Sequence, residues 1–590
     1  MLRPPRIVAL LLAAAAIGGL AAGALLVAGI DPTIRIGPFR LAVHDVSRPL
    51  GIGYAASFAL LWHGWRSIVR RSFAWTLIAG LIVVTLRSLA IGAPAFAAKS
   101  DIAVTEFYVQ LAQRGTLVDG PYSRFGWHHP GPLYFWIQVP FYSLSGDRAA
   151  GLYVGALAIN LAAVAILAWV LVRIDRGALT VAILAGVLFF ALRNDGLLAS
   201  PWTAHVPVVP AMAFIVLAAA TAAGHAWMLA LVVMFASFIV QTHIAPLPMV
   251  SIVAIVALAS VFAAARREPR LPIGRTVNAS AWLLLVLWLP AIAEQLSHRP
   301  GNLTRLWRFF VSETDPTQSL TQTVASWSYA LVGVLRPDFY TPHGGHFQPT
   351  YVAWALPASI VAMGLLFLIA RRTEPRLEAS IARMALIASI VELFSISRIR
   401  GEILDHEIFW IAGTGAINLA VLASAGVRVA RERWRPSPRA SPHPRLAVAC
   451  AATIVVAIVI VGGRNFWRLV SVEASNTRVN ATIVSAYESI RGYLEHEGVR
   501  RPLLRIAGDD WNVAAGTCVR LQRTGIPFAV EPDWLAMFTE QVAPDGGEDG
   551  VVTFGDAVSH MNAVKRPGNI TVAESDRVFV DAIALKPGAM

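Results

Sequence analysis

The feature that most constrains this chain is a series of about thirteen apolar runs, each near the length that crosses a bilayer. A membrane-spanning helix needs about 20 mostly apolar residues. The runs lie at about 7–29, 51–68, 73–92, 150–172, 177–195, 206–223, 226–243, 245–265, 279–296, 350–370, 379–397, 407–425 and 445–463. The chain is 56% hydrophobic and 14% charged, whereas soluble proteins carry about 25% charged residues. We therefore predict an α-helical polytopic membrane protein of about 13 transmembrane helices.

Arginine clusters between these runs set the expected topology. The formal net charge is +13, but the positive charge occurs in short groups rather than on one continuous face, so we expect no nucleic-acid partner. The groups are Arg70-Arg71, Arg173 with Arg176, Arg266-Arg267, Arg371-Arg372 and Arg428 through Arg445. Cytoplasmic loops carry an excess of Lys and Arg. All five groups lie inside if the N-terminus is inside and the first run is an uncleaved span.

Two further apolar segments would place some of these arginine groups outside if they crossed the membrane. Pro132 to Ser145 and the segment from Thr323 to Leu335 are short, so we predict interfacial helices for both. The loop 31–50 then lies outside although it holds three arginines, against the general tendency. The other outer regions are a loop at 93–149, a second large loop at 297–349, and the short segments 199–205 and 397–406.

The composition turns soluble near residue 471. Short apolar runs at 503–506, 527–530, 551–554 and 578–585 predict strands. Helical patterns run through 481–496 and 511–523. We therefore predict two domains, a membrane domain at 1–470 and a small α/β domain at 471–590, with the second on the extracytoplasmic side.

The loop 93–149 carries acids where a lipid-facing segment would not. A charge in hydrocarbon costs several kcal/mol, so Asp101 and Glu106 must meet water or a substrate. On a helix they would point about 140° apart, so one acid at most faces a given site. Either acid fits a general base for sugar transfer. The alternative is that both only solvate or cap a helix start.

The second half of the same loop adds a cation, donors and an aromatic face. Arg124, Trp127, His128 and His129 are suited to hold a phosphate and to stack on a sugar or lipid chain. An interfacial aromatic belt explains the aromatic residues at 134–136 better than a site does. A belt does not explain Arg124 or His128.

Other polar residues fall on the same predicted face. Arg398 and Arg400 are alternate residues able to clamp a lipid phosphate, or they are two solvated loop arginines. The remaining candidates are His205, His243, Glu294, Gln295 and His406. Each alone is typical of a span end, whereas together they would line a sugar pocket. The sequence allows a divalent metal but shows no set of ligands that requires one.

The order of motifs in the loop resembles the GT-C superfamily of glycosyltransferases, which use polyprenyl-phosphate sugars. An acidic motif follows a span, Tyr108 and Ala112 form a Tyr-x-x-x-Ala helix, and a His-Pro-x-Pro break at 129–132 enters an aromatic helix. We expect Tyr108 to be a substrate-binding residue. The run Pro-Gly-Pro-Leu-Tyr-Phe-Trp at 130–136 looks like the family's Pro-Pro-Leu-Tyr-Tyr-Trp. The nearest patterns are those of lipid A aminoarabinose transferase and the protein O-mannosyltransferases. The resemblance covers about 93–175.

One departure concerns the acids. Val104 and Thr105 stand where those relatives carry an adjacent Asp-Glu pair, and the acids here are displaced to Asp101 and Glu106. Both therefore remain candidates for the base. We prefer Asp101, because it lies nearest the preceding span and hence nearest a lipid phosphate.

The resemblance implies an enzyme of the bacterial cytoplasmic (inner) membrane. It would move a sugar from a polyprenyl-phosphate donor to an envelope glycan, lipid or protein acceptor on the extracytoplasmic face, in contact with membrane lipids. One alternative is a lipid or glycolipid transporter or flippase, which usually shows duplicated halves and polar spans. No such repeat is evident, and the polar residues gather at one face instead. Another alternative is a non-catalytic envelope assembly factor.

Overall fold

A computed structural model describes most of the chain. The described residues are 6–27, 33–36, 39–42, 47–62, 68–175, 177–267, 273–312, 316–336, 353–434, 444–507, 511–566, 568–575 and 578–585. The predicted second large loop, 297–349, therefore lies partly outside the described residues. By contrast, the whole of the predicted catalytic loop, 93–149, is described.

Helices dominate the structure up to residue 497. They are α1 (Arg6–Val27), α2 (Ser47–Trp62), α3 (Ile68–Gly92), α4 (Ser100–Gln113), α5 (Leu133–Leu144), α6 (Ala150–Ile174), α7 (Ala178–Arg193), α8 (Val208–Ala222), α9 (Leu229–Thr242), α10 (Leu247–Arg267), α11 (Ile273–Ser297), α12 (Asn302–Ser312), α13 (Leu320–Leu331), α14 (Ala355–Ala370), α15 (Arg376–Ser397), α16 (Asp405–Ile408), α17 (Ile411–Trp434), α18 (Pro444–Ser475) and α19 (Thr477–Glu497). Each apolar run named from the sequence falls on a helix, since a helix satisfies its own backbone polar groups in hydrocarbon.

Six of these helices are long and apolar enough to cross a membrane, namely α6, α10, α11, α15, α17 and α18. Most of the other apolar helices, such as α7 and α8, are 10–17 residues long. The helical membrane part of the predicted fold class is thus confirmed, and the figure of about thirteen crossings stays a prediction. Helix α18 extends to Ser475, past the end expected near 463.

The two segments assigned to the interface are short helices. Both α5 and α13 have 12 residues, and α5 contains Pro140. At 1.5 Å per residue each is about 18 Å long, well short of the roughly 30 Å hydrocarbon core. Helices α7 and α8 are also shorter than a full crossing, so the interfacial placement of α5 and α13 stays a prediction.

One compact unit comprises residues 1–95 and 140–154. Within it α1 packs closely on α2, because small residues allow two backbones to approach. A Cβ atom on Gly19 would lie 2.4 Å from the Pro49 carbonyl oxygen. Between these helices the strands β1 (Thr33–Ile36) and β2 (Phe39–Ala42) pair antiparallel.

The second compact unit comprises residues 96–139 and 155–590. Its centre is α8, which is buried along nearly its whole length. A helix that is apolar on every side is stable only when surrounded. Here α9, α10, α15 and α17 pack around it. Helices α17 and α18 also pack on α7.

The C-terminal part of this unit is a five-stranded mixed sheet with helices. Its elements are β3 (Pro502–Ile506), α20 (Trp511–Arg523), β4 (Ala529–Val530), α21 (Leu535–Phe538), β5 (Gly550–Gly555), α22 (Ala557–Ala563), β6 (Ile570–Ser575) and β7 (Val578–Ala584). The strand order is β4-β3-β5-β7-β6. Strand β3 runs parallel to β4 and β5, and β7 runs antiparallel to β5 and β6. The small C-terminal α/β fold is thus confirmed, and β6 is the strand that the sequence did not predict.

Candidate functional site

The predicted site residues meet at a cavity of about 480 Å³. Its wall is formed by loop 122–129 and the first turn of α4 on the one hand, and by four other helices on the other. These helices contribute through α12, the end of α15, and the starts of α10 and α17. Eight of the residues proposed from the sequence line it: Asp101, Arg124, Trp127, His129, His243, Arg398, Arg400 and His406. Six do not: Glu106, Tyr108, His128, His205, Glu294 and Gln295.

Asp101 is the carboxylate of α4 that reaches the cavity. It lies in the first turn of the helix, and the Tyr122 hydroxyl donates a hydrogen bond to its Oδ1. Burial raises the pKa of Asp101 above its usual value, and the Tyr122 bond partly opposes that rise. Asp101 is thus a half-buried acid with an elevated proton affinity and a fixed orientation.

Glu106 points away from the cavity. Its side chain is 1% exposed and forms an ion pair with Arg523, at the end of α20 in the C-terminal domain. Helices α4 and α20 pack together along this line, where Gln522 Nε2 donates to the Phe107 carbonyl at 3.2 Å. The two acids of α4 therefore have different neighbours, and the role suggested by this geometry for Glu106 is to attach α4 to the C-terminal domain.

The Glu106–Arg523 pair gives a prediction about stability. Removing one partner of a buried pair costs about 3–5 kcal/mol, and because the Arg523 side chain is 36% exposed we expect the lower end for Glu106→Gln. The midpoint of thermal unfolding in detergent should fall for Glu106→Gln and for Arg523→Gln, with less than additive loss in the double variant. Glu488→Gln, in an exposed pair with Arg491, is the control. An unchanged midpoint combined with lost transfer would instead give Glu106 a chemical role.

The fixed positive charge of the cavity comes from arginines. Arg124 Nη2 lies 3.3 Å from Glu407 Oε1, and its guanidinium lies 4.8 Å from the centre of the Phe125 ring. Arg400 Nη2 donates to the Phe310 carbonyl at 3.2 Å. Within the described chain the Arg398 guanidinium makes no ion pair, so its charge faces the cavity uncompensated.

The histidines of the cavity are neutral at pH 7. The rings of His129 and His243 lie 5.0 Å apart, and His129 Nδ1 accepts a hydrogen bond from the Ile244 amide at 3.1 Å. Burial lowers the pKa of His406 to about 4. Burial and neighbouring histidines hold the pKa of His129 well below its usual range. These rings therefore offer hydrogen bonds to a ligand rather than charge.

His205 lies behind this wall. Its Nδ1 lies 2.8 Å from Ser200 Oγ, and its ring lies 4.8 Å from that of Trp202, which does line the cavity. The Trp202 ring is also 5.3 Å from the ring of His406. His205 thus supports a wall residue rather than facing a ligand.

The other four candidates form a support beneath the loop. His128 Nε2 lies 3.1 Å from the Tyr108 hydroxyl, and the His128 amide donates to Asn302 Oδ1 at 2.7 Å. The Asn302 amide in turn donates to the Glu294 carboxylate at 2.9 and 3.0 Å. Gln295 Nε2 donates to Thr304 Oγ1 at 2.8 Å. Glu294 and Gln295 therefore cap α12 and hold it against the loop, rather than facing the cavity.

Trp127 is a buried donor at the cavity wall. Its side chain is 5% exposed and its ring lies 5.6 Å from that of Phe309. Its Nε1 has no hydrogen-bond partner within the described chain, although it lines the cavity. Buried donors in native proteins are normally paired, so this indole leaves an unsatisfied donor beside the cavity wall.

Sequence reasoning missed several residues of the site. Tyr122 holds Asp101, Asn302 holds the loop, and Phe309 and Phe310 form part of the wall. Helix α12 has Leu303, Leu306, Phe310 and other apolar residues on one side with arginines on the other, so its amphipathic pattern was the available signal for the two phenylalanines. Tyr122 and Asn302 carried no distinguishing local pattern.

Gly120 controls the shape of the loop. A Cβ atom there would lie 2.2 Å from the His129 carbonyl oxygen and 2.8 Å from that of Gly131, and backbone atoms cannot move aside cheaply. We expect Gly120→Ala to displace the 120–131 segment, lowering the thermal midpoint by several degrees and reducing transfer at least about tenfold. Gly492→Ala, on α19 with open space around it, should be neutral or slightly stabilising. Equal behaviour of the two variants would contradict this loop geometry.

The described residues contain no group of three or more His, Cys, Asp or Glu side chains placed to hold a metal ion. The cationic side chains that line the cavity are Arg124, Arg398 and Arg400. Their guanidinium groups match the oxygens of a phosphate geometrically.

Comparisons with known proteins give a likeness of fold. Solved structures of ArnT from Cupriavidus metallidurans are similar to this chain. For ArnT bound to undecaprenyl phosphate the TM-score is 0.48 and the identity 13%, over 86% of this chain and 98% of that chain. For the apo state they are 0.47 and 13%, over 87% and 98%. The sequence matches no protein-family model and no curated protein.

Proposed function

We propose that the protein is a membrane glycosyltransferase of GT-C type. It transfers a sugar from a polyprenyl-phosphate-linked donor to an envelope glycan, lipid or protein acceptor, with Asp101 as general base. The observation that carries the proposal is a cavity in which the oriented, half-buried carboxylate of Asp101 is combined with three arginines, one of which pairs with the second carboxylate of the cavity, Glu407. A base for a hydroxyl and a cationic site for a phosphate are the two requirements of this reaction.

The proton transfer follows from the position of Asp101. Its Oδ1 is held by Tyr122, and Oδ2 has no partner within the described chain. Oδ2 takes the proton of the acceptor hydroxyl as that oxygen bonds to the anomeric carbon of the donor sugar. The bond from the anomeric carbon to the phosphate oxygen breaks at the same time, and the polyprenyl phosphate leaves with the electron pair.

The arginines stabilise that leaving group. Negative charge grows on the phosphate as the glycosidic bond breaks, and preorganised cations in a water-poor site stabilise it strongly. Arg398 and Arg400 are assigned to the phosphate. Arg124 is shared with Glu407, so it contributes less charge to the ligand.

The sugar occupies the aromatic and histidine side of the cavity. Trp127 supplies an aromatic face, and the rings of His129 and His243 supply polar atoms. Sugar hydroxyls accept and donate hydrogen bonds in this way without needing charged groups.

For topology we propose a bacterial cytoplasmic membrane protein with the N-terminus inside. The cavity and the C-terminal domain, residues 471–590, are then on the outside, where polyprenyl-linked donors would meet envelope acceptors. The C-terminal domain serves to hold α4 through α20.

The pH dependence of transfer follows from the pKa of Asp101. A general base acts only when ionised, and burial raises the pKa of this carboxyl. The rate of transfer should therefore rise with pH. The midpoint of this rise should lie above about pH 4, since the ordinary pKa of an aspartate is about 4. Tyr122→Phe removes a bond that favours the carboxylate, so the midpoint should shift to higher pH. A midpoint that does not move in Tyr122→Phe would contradict Asp101 as the base.

Mass spectrometry of cellular lipids and envelope glycans tests the proposal as a whole. Cells lacking the protein should accumulate a polyprenyl-phosphate sugar and lack one modification on an acceptor. Loss of a flippase for the same lipid would also leave the acceptor unmodified, so transfer is measured as well with the purified protein, donor and acceptor in detergent, where a flippase forms no product. Unchanged lipid-linked sugars and unchanged acceptors would contradict the proposed reaction.

A further inference from the structure

A second, shallow pocket lies at the end of α11, away from the cavity residues. Its volume is about 390 Å³, and it is lined by residues 295, 296 and 298–301 together with Thr304 and Arg308. Two arginines, Arg299 and Arg308, contribute to it, and none of the described residues that line it is acidic. Glu294 lies near the pocket but is only 6% exposed. Its carboxylate accepts a hydrogen bond from the Asn302 amide, and its Oε1 lies 3.6 Å from His298 Nδ1. The pocket therefore has a net positive charge from the two arginines.

These arginines differ from Arg305, which lies on α12 with Arg308. Arg305 Nη2 lies 3.4 Å from Glu540 Oε1 in the C-terminal domain. Neither Arg299 nor Arg308 has an ion-pair partner in the described part of the chain, and both are exposed. Two uncompensated cations on one pocket suit an anionic group such as a phosphate.

An apolar stripe leads along α11 to this pocket. Only 17% of the apolar window of α11 is buried inside the protein, so most of this helix faces its surroundings. Its exposed large side chains include Trp282, Val286, Leu289 and Leu296, which follow helical spacing on one side. Leu296 is 76% exposed and also lines the pocket.

The stripe and the pocket together have the dimensions and order of a lipid. Helix α11 is long and apolar enough to span the bilayer, so its end at Ser297 lies at the level of the headgroups. The basic pocket begins at that level, and the apolar stripe runs from there toward the hydrocarbon. The exposed Trp307, at 68%, is on α12 beside Arg308, as expected for an interfacial anchor.

We propose that this pocket binds an anionic phospholipid of the surrounding membrane. Its phosphate contacts Arg299 and Arg308, and an acyl chain lies along the exposed stripe of α11. The bound lipid would fix the start of α12, the helix that contributes Phe309 and Phe310 to the cavity wall.

The test is selective lipid retention by the purified full-length protein. The protein in detergent is mixed with equal amounts of dioleoylphosphatidylglycerol and dioleoylphosphatidylcholine and separated from free lipid, and retained lipid is measured by mass spectrometry. We expect about thirtyfold preference for phosphatidylglycerol, since each of the two arginines near an anionic lipid contributes about 1 kcal/mol and 1.4 kcal/mol is a factor of ten. The R299A/R308A variant should lose this preference. The R371A/R372A variant removes the same amount of charge at the C-terminal end of α14. It should retain the preference for phosphatidylglycerol.

Equal retention of the two lipids by the wild-type protein would overturn the proposal, and this result depends on no variant. So would an unchanged preference in R299A/R308A, or displacement of phosphatidylglycerol by undecaprenyl phosphate, which would assign the pocket to the lipid carrier. The R299K/R308K variant retains charge and should retain most of the preference, which guards against a folding defect. Sugar transfer is not measured at any stage, so failure here leaves the proposed reaction untouched.

Discussion

Replacing Asp101 by asparagine should lower the rate of sugar transfer by about 10²–10⁴-fold. Asparagine has nearly the same shape and can still accept the Tyr122 hydrogen bond at its oxygen, so α4 and the loop should keep their positions. What is lost is the atom that accepts the proton of the acceptor hydroxyl. The measurement is the initial rate of transfer in membranes, with the amount of inserted protein determined in parallel.

The matched control for this variant is Asp533→Asn, which makes the same chemical change at an exposed residue of the C-terminal domain. It should transfer sugar at the wild-type rate. A wild-type rate in Asp101→Asn, at equal protein levels, would remove Asp101 from the reaction. In that case the hydrogen bond from Tyr122 would only hold Asp101 in a structural role.

The R398A/R400A variant should weaken use of the donor by about 10²-fold or more. Hydrogen bonds to charged groups contribute about 1.5–3 kcal/mol each, and 1.4 kcal/mol is a factor of ten. The loss should appear both in kcat/KM for the donor and in direct binding of undecaprenyl phosphate. Arg400 also donates to the Phe310 carbonyl, so Arg398→Ala alone is the cleaner probe of the phosphate contact.

A lysine pair at these positions separates charge from geometry. R398K/R400K keeps the positive charge but loses the planar guanidinium fork, so an intermediate loss is expected. If R398A/R400A binds undecaprenyl phosphate as tightly as the wild type, the phosphate lies elsewhere. The acceptor KM should change little in either variant, because the arginines are assigned to the donor.

The sequence predicted the fold in outline because its strongest signals are long. Apolar runs of span length are specified by composition alone, and each of them became a helix. The soluble strands and helices after residue 471 were also predicted, apart from β6, whose residues alternate little in polarity and lie at a sheet edge. Helix ends were less predictable, as α18 shows, because a helix in water continues where a hydropathy pattern stops.

The candidate site was predictable as a loop but not as a set of orientations. Helical geometry indicated that Asp101 and Glu106 face apart, yet only the packing of α20 on α4 shows which one meets the cavity. His128 and His129 are adjacent in an extended segment, where alternate residues face opposite sides. His129 lines the cavity and His128 meets Tyr108. Nothing in the sequence distinguishes these two.

The central claim is that Asp101 drives transfer of a sugar from a polyprenyl-phosphate donor. The most direct measurement is quantitative mass spectrometry of polyprenyl-phosphate sugars and envelope acceptors in cells that carry the wild-type protein, Asp101→Asn or no protein. The account predicts that Asp101→Asn matches cells without the protein, with donor accumulated and acceptor unmodified, although the variant is inserted normally. Lipid and acceptor profiles in Asp101→Asn that equal those of the wild type would contradict it.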